Sequence, residues 1–198
     1  AALLAGCTKK SGGAALESAV KKDLQAAFNG ESTATAKYAL YATECEKAGY
    51  LSLATFFKAA SFAESVHAGN HAKTALKLFG VKMVPALKPF AFTDVKSAVE
   101  DALAGETYEY TEMYPAMVED AQSEKLAAAV RTFDTARKAE TEHGRIYREA
   151  LADLDGWKAA GRKFWICPVC GFTTDGALEA GAKCPYCGVP SESFKIFG

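Results

Sequence analysis

From residue 16 to residue 154 apolar positions recur at three- and four-residue intervals, in runs rich in Ala, Leu, Glu and Lys. That is the pattern of helices burying one face. It predicts long helices over about 16–48, 51–79, 94–122 and 124–154. Ala48-Gly49-Tyr50 separates the first two. Pro85 and Pro89 stop "FGVKMVPALKPFAFTD" (79–94) from continuing a helix, and the segment is long enough to run the length of a bundle. Pro115 predicts a kink or loosened turn in the third helix. Beyond residue 155 the pattern fades: 156–162 reads as a linker, and 163–198 is too short to hold a core without a metal or another staple.

The two helical halves repeat. Gly30-Glu31 opens one and Gly105-Glu106 the other; Glu64 follows Glu31 by 33 residues, and Glu140 follows Glu106 by 34. Each later glutamate starts a Glu-x-x-His, "ESVH" (64–67) and "ETEH" (140–143). Residues three apart share a helix face, so each pair can aim a carboxylate and an imidazole at one ion. A lone copy is ordinarily solvated charge. Two copies at matched repeat positions, among apolar neighbours where unpaired carboxylates are costly, point to a di-metal centre. Two hairpins joined by a long crossover, with such ligands facing inward, are the topology of an all-α four-helix bundle of the ferritin-like kind.

The candidate ligands are therefore Glu31, Glu64, His67, Glu106, Glu140 and His143, with Glu109 an additional carboxylate one turn after Glu106. Ala34 stands at the equivalent place in the first half, so the two ions are expected to differ. Tyr38 and Tyr114 lie two turns beyond the Gly-Glu pairs and read either as phenols donating to ligands or as core with a buried hydroxyl. His71 reads as a neighbour of the site or a surface residue, and its repeat equivalent is Tyr147. Glu44, Glu46, Glu112, Glu119 and Glu142 read as solvated faces, and Cys45 as a small buried residue.

Near the end, "ICPVCGFTTDGALEAGAKCPYCG" (166–188) holds two Cys-x-x-Cys pairs. One turn can supply two thiolates to a tetrahedral metal, so Cys167, Cys170, Cys184 and Cys187 form a tetrathiolate site that suits iron or zinc. Gly171 and Gly188 each follow the second Cys, where a tight turn aims N–H groups at sulfur. Trp165, Phe172, Tyr186 and Phe194 supply a small apolar shell.

Composition changes little: 49% hydrophobic, 24% charged, net charge −1. Without a basic excess, nucleic-acid binding is not expected, and no apolar run reaches the roughly 18 residues of a membrane span. The start "AALLAGCTKKSGG" resembles the end of a bacterial lipoprotein signal, small residues before Cys7 and a polar tether after it. It implies residues upstream, lipidation at Cys7, and an exported, membrane-anchored protein, with 1–15 as signal end and tether.

Together "GES" (30–32), "ESVHAGNH" (64–71), "GETYEYTEMYP" (105–115), "ETEH" (140–143) and "FWICPVCGF…CPYCGVPSESFKIF" resemble the rubrerythrins over residues 16–198. The gap between Cys pairs, 171–183, is about one residue longer than expected. The resemblance implies a bundle over 16–155 and a small rubredoxin-like β/loop domain over 163–198. It assigns two non-haem irons to Glu31, Glu64, His67, Glu106, Glu109, Glu140 and His143, and a third to the four cysteines. It implies a peroxidase reducing hydrogen peroxide to water with electrons drawn ultimately from NAD(P)H through a partner reductase. It also implies a homodimer in which each rubredoxin-like module serves the neighbouring chain, since a short linker restricts its approach to its own bundle. The family is usually cytoplasmic, the alternative to the exported reading. Rival functions are ferritin-like iron oxidation or storage, and a zinc-ribbon adaptor, against which the duplicated ligands argue.

Overall fold

The computed structural model describes residues 18–179 and 181–198, so Cys7 and its tether lie outside the described residues. Helix α1 spans Ala19–Lys47 and α2 Leu51–Phe79. The third predicted helix comes in consecutive pieces: α3 (Val95–Tyr108), a π-helical turn (Glu109–Met113) and α4 (Tyr114–Ser123). Pro115 is the cause: it has no N–H to give the Thr111 carbonyl, and the Tyr114 N–H reaches back five residues to the Glu109 carbonyl. Helix α5 spans Ala127–Ala152. None of these helices is long and apolar enough to cross a membrane.

Local chemistry fixes the ends. Ser18 caps α1 by accepting the Lys21 N–H at 3.2 Å, and its hydroxyl donates to Glu124 Oε2 at 2.6 Å, tying the start of α1 to the end of α4. Asp94 caps α3 by accepting the Ser97 N–H at 2.9 Å. Residues 80–94 have no regular structure and lie along α1: Ala86 N–H donates to Asn29 Oδ1 at 3.1 Å and Lys88 N–H to Thr33 Oγ1 at 3.2 Å. The crossover joins the two hairpins as the breaks predicted.

Helices α1, α2 and α5, and the consecutive run from α3 to α4, each cross the same three layers. At one end Leu24, Ala75, Tyr114 and Phe133 form an apolar cluster; at the other Phe56, Phe57, Val99, Ile146 and Tyr147 form a second. Between them lie Glu31, Glu64, His67, Glu106, Glu140 and His143, all buried. The polar layer is sealed at both ends by the core that positions it.

The C-terminal module is a three-stranded antiparallel sheet in the order β2 (Thr173–Thr174), β1 (Phe164–Ile166), β3 (Lys195–Phe197). It is docked on its own bundle, although the short linker was expected to keep it away. The chain turns back at once: Asp153 accepts the Gly156 N–H at 3.1 Å to cap a 3-10 turn over Leu154–Trp157, and Trp157 is buried. Phe164 then stacks on Trp157 (6.2 Å between centroids) and packs on Phe56 of α2 (4.9 Å), while Phe197 meets Phe62 (5.8 Å). Phe164 and Ile166 thereby belong to the bundle's own apolar cluster. Asn70 donates to the Val169 carbonyl at 2.8 Å, and Arg145 pairs with Asp175 at 2.8 Å across the seam.

Candidate metal centres

In the buried polar layer two groups of ligands overlap. Glu31, Glu64, His67 and Glu140 place one ligand atom each within 4.8 Å of one another, and so do Glu64, Glu106, Glu140 and His143. Glu64 and Glu140 are common to both, and each divides its oxygens. Glu64 Oε2 and Glu140 Oε1 face His67 Nδ1 at 2.9 and 2.8 Å. Glu64 Oε1 and Glu140 Oε2 face His143 Nδ1 at 3.2 and 2.8 Å. This is the geometry of two bridging carboxylates, with Glu31 terminal on the His67 side and Glu106 on the His143 side. The repeat read along the chain is a pseudo-twofold axis in space.

Each terminal carboxylate also holds a phenol. Tyr38 donates to Glu106 Oε1 at 2.7 Å, and Tyr114 donates to Glu31 Oε1. Both tyrosines are thus donors to candidate ligands as well as core residues. Among the described residues the remaining oxygens, Glu31 Oε2 and Glu106 Oε2, have no hydrogen-bond partner; nor do Glu64 Oε1, both Glu140 oxygens and His143 Nδ1. Buried polar atoms are ordinarily paired, so this concentration of orphans around one point is what cation ligands leave when the cation is not counted. Two divalent ions fit the donors: carboxylates for the bridges and ends, one imidazole apiece.

The electrostatics agree. Burial, then repulsion from Glu64 and Glu140, pushes the Glu106 carboxyl up to about 8. Burial followed by Glu109 raises Glu31 well above the usual range, and burial followed by Glu106 does the same to Glu109. Burial alone lowers a histidine, but Glu140 and Glu64 outweigh it and carry His67 up to about 10. Burial opposes ionisation of Glu64, yet His143 and His67 hold it well below the usual range. Without a cation, protons neutralise the layer.

Glu109 stands apart. It is half-buried at the start of the π turn, outside both four-residue groups, with its Oε1 beside Gly30 of α1. His71 is fully buried: it meets the Tyr114 hydroxyl at 3.0 Å through Nε2 and Thr132 Oγ1 at 3.1 Å through Nδ1. Burial, then the charge of His67, lowers it to about 3. Its repeat equivalent Tyr147 packs on Tyr38 at 5.9 Å, its hydroxyl unpartnered.

The second centre gathers Cys167, Cys170, Cys184 and Cys187 with their sulfurs within 4.8 Å, the Cys167–Cys187 and Cys170–Cys184 pairs at 3.5 Å. A tetrahedron with bonds of about 2.3 Å has edges of about 3.8 Å, so the cage has the right size. Gly171 (φ +79°) and Gly188 (φ +76°) turn the chain so that Phe172 N–H reaches the Cys170 sulfur and Val189 N–H the Cys187 sulfur. Trp165, Phe172, Tyr186 and Phe194 pack around the cage. Cys187 is exposed and the other three are buried.

The two centres meet. A side chain on Gly171, immediately after Cys170, would overlap the His67 ring, its Cβ 2.5 Å from Cδ2. His143 Nε2 lies 2.8 Å from Thr173 Oγ1. Sequence reasoning missed both contacts. Nothing in the chain's periodicity pairs a knuckle glycine or a strand threonine with a helix about 100 or 30 residues away.

A family model described as Rubrerythrin matches residues 22–151, and one described as Rubrerythrin, rubredoxin-like domain matches 165–195. Rubrerythrin-2 of Clostridium acetobutylicum is 34% identical, covering 88% of this chain and 94% of its own length. Nigerythrin of Nitratidesulfovibrio vulgaris is 34% identical, covering 89% and 85%. Among solved structures, a fully reduced, all-ferrous nigerythrin superposes with a TM-score of 0.81 over 95% of this chain and 91% of that one, at 31% identity. A Rhodobacter capsulatus bacterioferritin, 21% identical with a TM-score of 0.66 over 73% and 96%, shares the fold alone.

Proposed function

This chain belongs to the rubrerythrin family, and from that premise we propose that it is a peroxidase reducing hydrogen peroxide to two waters, fed by electrons through its own tetrathiolate module. At the coarser level it is an iron-based oxidoreductase with a di-iron carboxylate site and a rubredoxin-like four-cysteine site. Bound iron supplies the redox chemistry: two electrons per peroxide from the bundle pair, recharged singly from the cysteine site.

The protein's part lies in placement. Glu64 and Glu140 would each hold both ions, with Glu31 and His67 on one and Glu106 and His143 on the other. Tyr114 and Tyr38 keep a proton on each terminal carboxylate's outer oxygen, leaving the inner one free for metal. The apolar clusters on either side exclude bulk water. Balance requires two protons and two electrons per peroxide, and the phenols that donate to Glu31 and Glu106 are proton sources beside the ligands.

The observation carrying this reading is the contact of Gly171 and Thr173 with His67 and His143. An iron-storing bundle has no need of a thiolate centre pressed against its histidines. The contact supports a route within one chain, beside the route between neighbouring chains of a homodimer that the resemblance implies. Exposed Cys187 gives an external reductase its point of approach. The test is stopped-flow mixing of the fully reduced protein with peroxide or with oxygen. We expect both centres to oxidise faster with peroxide, and an anaerobic preparation to carry three irons per chain. Faster reaction with oxygen together with mineralisation of added iron would favour storage, and zinc at the cysteines would remove the electron route. Export and lipidation at Cys7 form a separate proposal, overturned if the full-length product fractionates as soluble without detergent.

A further inference from the structure

We propose that Thr173, a residue of the cysteine-rich module, is the positioning residue for the bundle ligand His143, so that the di-metal site is completed only when the module is docked. The inference is independent of the oxidant, since any divalent metal in the bundle would feel it.

Thr173 is fully buried, and its hydroxyl has a single proton, which it donates to the Gly171 carbonyl at 3.1 Å. Toward His143 Nε2, 2.8 Å away, the same oxygen can therefore only accept. When a metal displaces the proton that faces the carboxylates, the imidazole's remaining proton sits on Nε2 toward this acceptor and Nδ1 turns its lone pair to the ion. Nδ1 is the atom that faces Glu64 Oε1, Glu140 Oε2 and, at 3.7 Å, Glu106 Oε2. A partner on the far nitrogen that fixes tautomer and ring orientation is how proteins tune metal-bound histidines.

The sheet register supports the placement. Thr173 pairs with Ile166 of β1, and Ile166 is locked into the bundle's apolar cluster, so the hydroxyl is held by packing rather than by a loose loop. The two bundle histidines also differ here. His67 presents its unpartnered Nε2 to the backbone at Gly171, whereas His143 has a hydroxyl acceptor. The asymmetry between the two metal positions thus arises partly from the module, not only from Glu109.

The experiment uses the full-length protein with zinc at the cysteines, titrated with zinc at the bundle against a competing chelator. Thr173→Val, an isosteric change, is expected to weaken bundle zinc about 10- to 100-fold, and Thr173→Ser to stay within about threefold of the parent. Long-range 1H–15N spectra of the zinc-loaded protein provide a readout that packing alone would not move. The His143 Nε2–H signal should persist in the parent and in Thr173→Ser and be lost in Thr173→Val. Asp175→Asn, which weakens the Arg145 clamp without touching His143, should leave that signal in place. Unchanged affinity with the Nε2–H retained in Thr173→Val overturns the proposal. So does an equal loss in Asp175→Asn, which would show that docking, not the hydroxyl, is responsible.

Discussion

Gly171→Ala separates the two things that glycine does. The residue sits at φ +79°, where an alanine costs about 1–2 kcal/mol. Its Cβ would also lie 2.5 Å from His67 Cδ2, against the 3.4 Å of ordinary contact, so module and ring must part by at least about 0.9 Å. His67 is fully enclosed and faced by Glu64 and Glu140, so the ring cannot swing away and the module must move. A shift of about 0.9 Å along the seam takes the 2.8 Å contacts Asn70–Val169 and His143–Thr173 to about 3.7 Å, beyond hydrogen-bonding range. Leaving such groups unmade costs about 1–3 kcal/mol each. A total of roughly 2 kcal/mol or more shifts the docked-to-undocked ratio about thirtyfold. Gly188→Ala is the matched control: φ is +76° and nothing lies within 4 Å of its Cβ. Both variants should keep the tetrathiolate centre, because metal binding there of about 10–16 kcal/mol absorbs the backbone strain. Only Gly171→Ala should slow oxidation of the cysteine-bound iron after peroxide mixing, by about tenfold or more, and raise amide exchange around residues 66–72 and 168–174. Indistinguishable behaviour of the two variants in both assays would refute the steric argument.

The metal-free protein should lose stability as pH rises. Glu106 at about 8 and His67 at about 10 are raised above their unfolded values, so the native state binds more protons than the unfolded one. Glu106's contribution is complete below about 4.5 and lost through about 8; that of His67 is complete below about 6.5 and lost through about 10. Metal loading replaces those protons and should flatten the profile; urea midpoints at pH 5, 7 and 9 with and without zinc check this, and a flat metal-free profile would count against the buried cluster. Phe164→Ala should cost about 3–5 kcal/mol in the unfolding of the whole chain, because the ring fills a core common to module and bundle. A loss confined to the module, with the bundle's melting unchanged, would show that the two do not unfold together.

How much of this was legible along the chain follows from which contacts are local. Glu64 and His67, or Glu140 and His143, lie one helical turn apart, so their common aim follows from helix geometry, and the matched Gly-Glu pairs bring the other ligands to the same level. Pro115 announces a disturbed turn because the missing N–H is covalent fact. The four-thiolate cage is equally local: each Cys-x-x-Cys-Gly is a single turn. His71 was ambiguous because its neighbours Tyr114 and Thr132 come from other helices. The docking of the module was not legible at all. It rests on Phe164, Trp157 and Phe56 finding one another across the fold, and on Gly171 and Thr173 reaching histidines far away in sequence. Periodicity and motif spacing determined the helices, the ligand types and the two metal cages, because those depend on residues within a turn of each other or on a repeat. Tertiary structure alone decided that the cages touch, which oxygen of each bridging carboxylate faces which histidine, and that Thr173 meets Nε2 of His143. Those depend on packing between segments whose separation along the chain carries no information about their distance in space.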